Sequence, residues 1–157
     1  MSATDPHILG PGLLPTPFTA DEIREATGAG KTIRLRVEQP DGSTGERVNR
    51  FRETDAEGAT LDRWAAETPE AVVSSRVTWA ELQSHAAFPS DRTSVTTETL
   101  DTPLGSLTCQ RYDTADEPGD PVESFWFSLA HPGMPIRYEV PIGDGVMRTT
   151  AWEITRD

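Results

Sequence analysis

ESFWFSLAHPGMPIRYEV, residues 123–140, is the stretch that decides the fold, and it predicts a β-hairpin within a sheet. Pro132 and Gly133 suit the centre of a type II turn, because proline fixes φ at the first central position and glycine accepts a positive φ at the second. A two-residue loop there would place Phe127 opposite Tyr138. Type II is not the turn that best matches strand twist, so a longer loop stays open as an alternative.

This register sorts the hairpin residues into two sets, because side chains alternate between the faces of a strand. The set predicted to face the core is Phe125, Phe127, Leu129, Ile136, Tyr138 and Val140. The set predicted to face solvent or a binding surface is Trp126, Ser128, Arg137 and Glu139.

Two capping boxes predict two short helices. In each, a Thr is followed three residues later by a Glu, so the Thr hydroxyl accepts a backbone N–H and the Glu side chain reaches back to the cap. Thr19 would begin a helix from about Ala20 to Thr27, and Thr78 would begin one from about Trp79 to Ala87.

Alternating runs bounded by turn residues predict the other strands. These runs are 31–38, 46–53, 59–66, 71–77, 94–101, 106–113 and 146–154, and the run 59–66 also fits a short helix. Parallel crossovers would need regular intervening helices. The predicted fold class is therefore α+β, a curved antiparallel meander of half-barrel shape with two short helices. Residues 1–17 are predicted to form an irregular arm and residues 18–157 a single domain.

Two segments resemble a pattern seen in bacterial domains of uncharacterised function. They are TPLGSLTCQRY at 102–112, and the aromatic strand FWF at 125–127 with its return PGMPIRY at 132–138. Over roughly residues 93–154 the chain resembles half-barrel domains related in shape to lipoprotein carriers. The resemblance implies a half-barrel fold. Its motifs are turns and core aromatics, so it carries over no functional residue.

Charge and composition limit the classes of partner. The chain has 26 acidic and 14 basic residues, a formal net charge of −12, which disfavours binding to nucleic acid or to an anionic membrane because phosphates would be repelled. Arginine in place of lysine is typical of a GC-rich bacterial genome. No leader with a basic segment and an apolar run is visible, and no run of about 18 apolar residues exists. The sequence therefore predicts a cytoplasmic protein without a membrane span.

Residues with catalytic or metal-binding chemistry are few. His7, His85 and His131 lack metal-ligand spacing, and no cofactor motif is present, so we expect neither metal nor cofactor. Cys109 is the single cysteine, which excludes an internal disulfide. We expect Cys109 to be a structural strand residue opposite Glu98, although a nucleophilic role stays an alternative.

Arginines concentrate in the first three predicted strands, at positions 34, 36, 47, 50, 52 and 63. Cross-strand ion pairs with the neighbouring acidic residues would explain them, and so would a site for an anionic ligand or an acidic partner.

The predicted function is a non-catalytic binding or interaction module whose partner is an unknown protein or a hydrophobic small molecule. A hydrophobic or amphipathic ligand inside the curved sheet would contact Phe127, Tyr138 and Trp79. The alternatives are an acidic inhibitor or immunity-type protein, and a small enzyme with a cleft in the half-barrel.

Overall fold

The computed structural model describes residues 5–156. The predicted arm and domain extend to residues 1–4 and to Asp157, which lie outside the described residues. The helices are α1 (Ala20–Ala26) and α2 (Trp79–Ser84). The strands are β1 (Lys31–Glu38), β2 (Thr44–Thr54), β3 (Gly58–Ala65), β4 (Val73–Thr78), β5 (Thr93–Thr102), β6 (Gly105–Thr114), β7 (Glu123–Ser128), β8 (Arg137–Ile142) and β9 (Gly145–Thr155).

Two antiparallel meanders form one sheet. Across residues 5–156 the strand order is β4-β3-β2-β1-β9-β8-β7-β6-β5. The first meander is β1 to β4 and the second is β5 to β9, each pairing consecutive strands, and the β1–β9 pairing joins the two. The edge strands β4 and β5 do not pair with each other in this order, so the sheet is open and curled. The predicted α+β class, a curved antiparallel sheet with two short helices, is confirmed.

The central hairpin has a longer loop than the predicted two-residue turn. Phe125 pairs with Tyr138, so the register differs by two residues from the predicted pairing of Phe127 with Tyr138. A shift of two residues keeps every strand residue on its predicted face, whereas a shift of one would reverse the faces. Leu129 was predicted to face the core, but it lies in the loop and is 49% exposed. Trp126 was predicted on the solvent side, yet it is buried, with the Arg111 guanidinium 4.7 Å from its ring centroid.

Both helices begin at their capping boxes. The Thr19 hydroxyl accepts from the backbone N–H of Glu22, and the Thr78 hydroxyl accepts from that of Glu81. In each box the Glu side chain accepts from the backbone N–H of the cap residue. Helix α2 ends earlier than predicted, because the backbone hydrogen bonds beyond it join residues three apart, as in Ala86 to Gln83.

The core lies between the concave face of the sheet and the two helices. Ile23 and Trp79 from the helices and Phe88 after α2 join buried residues of the strands in one apolar cluster. The strand members include Ile33, Leu35, Phe51, Leu61, Tyr112 and Phe127. The concave face therefore carries most of the apolar side chains of the sheet.

Residues 5–17 lie against the segment from α2 to β5. The Leu14 N–H donates to the Phe88 carbonyl over 2.8 Å, and the Gln83 side-chain amide donates to the Pro6 carbonyl and to the buried Thr16 hydroxyl. These bonds hold the segment along the end of the second helix. The division into an arm and a single domain stays a prediction.

Candidate ligand-binding cavity

A cavity of about 540 Å³ lies on the concave side of the sheet, between strands β1 to β4 and the aromatic residues of the β7–β8 hairpin. One wall comes from the first meander, with Leu35, Leu61 and Val77 on β1, β3 and β4. The opposite wall comes from Phe125 and Phe127 on β7 and from Tyr138 on β8. Helix α2 contributes Leu82, the turn that follows it contributes Ala86, and the β7–β8 loop contributes Met134 and Pro135. Both halves of the sheet therefore build this cavity.

The aromatic wall is held in place by ring contacts. The rings of Phe125 and Tyr138 stack with centroids 6.2 Å apart. The ring of Phe88 also stacks on that of Phe125, with centroids 5.3 Å apart. Tyr112 meets Phe127 edge-to-face at 5.6 Å. Aromatic pairs of this geometry contribute about 0.5–1.5 kcal/mol each beyond the area they bury. The wall is thus fixed by packing on its far side.

Two of the three predicted ligand-contacting residues lie on this cavity. Phe127 is buried and Tyr138 half-buried, and both line it. Trp79 lies deeper, with 3% of its surface exposed, and its indole Nε1 donates to the Asp55 carbonyl over 2.9 Å. The structure therefore brings Phe127 and Tyr138 together and directs Trp79 to the β2–β3 connection. Contact of these three residues with a ligand stays a prediction.

Three of the polar side chains on the wall are basic, and none of the described side chains that line it is acidic. Asn49 is buried and donates from Nδ2 to the Met134 sulfur over 3.5 Å, which ties β2 to the β7–β8 loop. Arg47, Arg63 and His85 also line the cavity, and all three are exposed. They mark the side on which the cavity meets solvent.

Among the cavity residues of β1, β2 and β3, Arg47 and Arg63 belong to the arginine set for which an anion site was one explanation, whereas Leu35, Asn49 and Leu61 were not predicted as site residues. The signal for them was the alternation along β1, in which Ile33 and Leu35 face inward. Because Leu35 pairs with Arg47 and Asn49 pairs with Arg63, these pairs share the concave face. The sequence could not supply these pairings, because they depend on which strands are neighbours and in what register.

Cys109 lies away from this cavity, opposite Glu98 as predicted. Burial raises the pKa of its thiol, and the Glu98 carboxylate raises it further, while Arg137 acts in the opposite direction. A raised pKa leaves the thiol protonated at neutral pH, which is unfavourable for a nucleophile. Among residues 5–156, no group of three or more His, Cys, Asp or Glu side chains is arranged to hold a metal ion.

Comparison with known proteins shows likeness at the level of fold. No protein-family model and no curated protein matches the chain. A candidate exported protein with a YmcC-like fold from Bacteroides fragilis is 14% identical, with a TM-score of 0.44 over 83% of this chain and 97% of that chain. A candidate outer membrane lipoprotein-sorting protein domain from Vibrio parahaemolyticus is 10% identical, with a TM-score of 0.27 over 87% and 90% of the two chains.

The descriptions of these two structures, a YmcC-like fold and a lipoprotein-sorting domain, agree with the predicted resemblance to half-barrel domains related in shape to lipoprotein carriers. They also correct the predicted cytoplasmic location, because one is described as exported and the other as a lipoprotein-sorting domain. That prediction rested only on the lack of a visible leader, which is not positive evidence of where a protein resides. Neither helix in residues 5–156 is long and apolar enough to cross a membrane.

Proposed function

We propose that this protein is a non-catalytic module that binds a hydrophobic small molecule in the cavity between the concave face, α2 and the β7–β8 hairpin. The observation that carries the proposal is the apolar cavity itself. At about 540 Å³ it falls within the range of about 300–1,000 Å³ that is typical of small-molecule sites. Such sites are lined mainly by apolar and aromatic side chains with a few polar groups, as here.

An apolar recess of this size, open to solvent, distinguishes the site from ordinary core packing. Protein interiors have few voids larger than a water molecule, and leaving apolar walls without contacts forfeits dispersion energy. A hydrophobic ligand would restore those contacts and remove the walls from water. The half-buried Tyr138 adds a hydroxyl group at the edge of the otherwise apolar aromatic wall.

Binding is tested with an uncharged polarity-sensitive dye, Nile red, which is titrated into the protein and then displaced by a long-chain alcohol. Ser75 on β4 lines the cavity and is half-buried, so Ser75→Phe would project a ring into it from an edge strand. The matched control is Ser74→Phe, because Ser74 is the adjacent residue and points to the opposite face.

We expect saturable binding by the wild type, a loss of about tenfold or more in affinity for Ser75→Phe, and a smaller change for Ser74→Phe. A tenfold loss corresponds to about 1.4 kcal/mol. Denaturation midpoints of both variants establish that they are folded. Lack of saturable dye binding by the wild type, or equal affinities of the two variants, would overturn the proposal.

A further inference from the structure

We propose that the ligand is an amphiphile with an anionic headgroup, a carboxylate or a phosphate, that Arg47 and Arg63 bind at the mouth of the cavity. This inference rests on the proposed function and adds the chemical class of the ligand. Its basis is the position, the lack of acidic partners and the surroundings of these two arginines.

Arg47 and Arg63 lie on adjacent strands and on the same face. Arg63 is directly opposite Asn49 in the β2–β3 pairing, and Arg47 is two residues from Asn49 along β2. They are therefore diagonal neighbours, whose Cα atoms are typically about 7–8 Å apart in an antiparallel pair. Both line the cavity and both are exposed. Two guanidinium groups thus stand side by side where the apolar space opens to water.

Neither arginine has an acidic partner. Within residues 5–156, the side chains of Arg47 and Arg63 form no ion pair or hydrogen bond, whereas Arg34 and Arg52, on the opposite face of β1 and β2, are paired with acids. Arg34 binds Glu153 at 3.1 Å, and Arg52 binds Asp62 at 2.9 Å. Among the described residues these two neighbouring arginines lack a counter-charge, although the chain has 26 acidic residues.

The cavity lining is also free of negative charge. None of the described residues that line it is Asp or Glu, and its charged side chains are the two arginines, with His85 as a third basic group. The nearby cations repel each other, and an anion between them removes that repulsion while gaining attraction to both. The chain as a whole is strongly acidic, with a formal net charge of −12, so the mouth of the cavity is a local concentration of positive charge.

The geometry fits an amphiphile better than a purely hydrophobic molecule or a free anion. A guanidinium presents a planar fork of N–H donors that binds carboxylate or phosphate oxygens in pairs. The headgroup would stay in the solvated mouth with the arginines, and the tail would extend toward Leu61 and Phe127 in the apolar interior. Each part of the ligand would then meet the environment that it prefers.

The test compares headgroups on one tail. Dodecanoate, dodecyl phosphate, dodecanol and dodecyltrimethylammonium each displace Nile red at concentrations below their micelle thresholds. We expect one or both anions to bind about tenfold or more tightly than the alcohol, and the cation to bind most weakly. The advantage of the anion should shrink as salt is raised, since exposed charges are screened. The relative affinities of dodecanoate and dodecyl phosphate identify which headgroup is preferred.

Two double variants assign the effect to the arginines. Arg47→Gln with Arg63→Gln should abolish the advantage of the anions and leave dodecanol affinity unchanged. Arg34→Gln with Arg36→Gln removes the same charge from the opposite face and should preserve the advantage. If dodecanol binds as tightly as both anions, or if the first double variant keeps the preference, the inference fails while the hydrophobic site stands. If no ligand displaces the dye and the dye itself does not bind, the proposed function fails with it.

Discussion

Lys31 should make the protein more stable as pH rises above neutrality. It is the single lysine of the chain and is 3% exposed, and its Nζ donates to the Ala26 carbonyl at the end of α1 over 3.3 Å. A cation is favourable at the C-terminus of a helix. Burial nevertheless outweighs this, and together with the charge of Arg156 it lowers the pKa of Lys31 from 10.5 to about 8.

The direction of this pH dependence follows from the number of protons that the folded and unfolded states bind. Between pH 8 and 10.5 the lysine is protonated in the unfolded chain and largely neutral in the folded protein, so raising the pH favours folding. At about 1.4 kcal/mol for each pKa unit, the difference between 10.5 and about 8 corresponds to a penalty of at most about 3 kcal/mol below pH 8. Between pH 7.5 and 10 about 2 kcal/mol of this penalty should be relieved.

Two other buried groups act in the opposite direction. Burial raises the pKa of Cys109 above 9.0 and that of Tyr112 to about 12. At high pH each group therefore ionises first in the unfolded chain, which lowers the stability of the folded protein. The quantity to measure is therefore the difference between the wild type and Lys31→Met, in which the contributions of distant groups cancel.

Urea denaturation at steps from pH 7.5 to 10 supplies this difference. We expect Lys31→Met to be the more stable protein at pH 7.5 and its advantage to fall by about 2 kcal/mol by pH 10. An advantage that does not change with pH would show that Lys31 titrates as an ordinary exposed lysine, and the reasoning from burial would be refuted.

Three further predictions concern the scaffold. Thr19→Ala and Thr78→Ala should each lower the free energy of unfolding by about 0.5–2 kcal/mol, and unchanged urea midpoints in both would contradict the capping boxes. Cys109→Ser should keep Nile red binding at a stability cost of about 1 kcal/mol, whereas rapid thiol labelling of the native protein would argue against a structural role. Gly58→Ala should cost about 1–3 kcal/mol, because its Cβ would overlap a backbone carbonyl of β4. Gly45→Ala, with nothing within 4 Å of the added Cβ, is its control and should change the urea midpoint little.

The elements with local signals could be predicted from the sequence. The bounds predicted for the first strand, 31–38, are those of β1, and both helix starts coincide with their caps. The β7–β8 register could not be predicted, because Pro132 and Gly133 suit a tight turn while the chain instead forms a loop from Leu129 to Ile136. The predicted faces survived because the error was an even number of residues.

The candidate site was predictable only in part, for a similar reason. Phe127 and Tyr138 reach the cavity because their alternation places them on the concave face. The sequence could assign Trp79 to the core, but it could not show which way the indole ring points. A buried indole N–H needs a hydrogen-bond acceptor, and the acceptor here, the Asp55 carbonyl, lies 24 residues earlier in the chain. Such a contact depends on how α2 packs against the β2–β3 connection, which local sequence does not encode.

The pairing register of the first strands places their arginines on two opposite faces, where they have different surroundings. On sequence, ion pairs and an anion site were competing explanations for the whole set. In the folded sheet Arg52 on one face binds Asp62, while Arg47 and Arg63 on the other face line the cavity without an acid. A slip of β2 by one residue would turn Arg47 away from the cavity and Val48 toward it. The positive mouth therefore depends on the register that the β1–β2 and β2–β3 pairings fix, and the comparison of headgroups on one tail tests whether that mouth selects an anion.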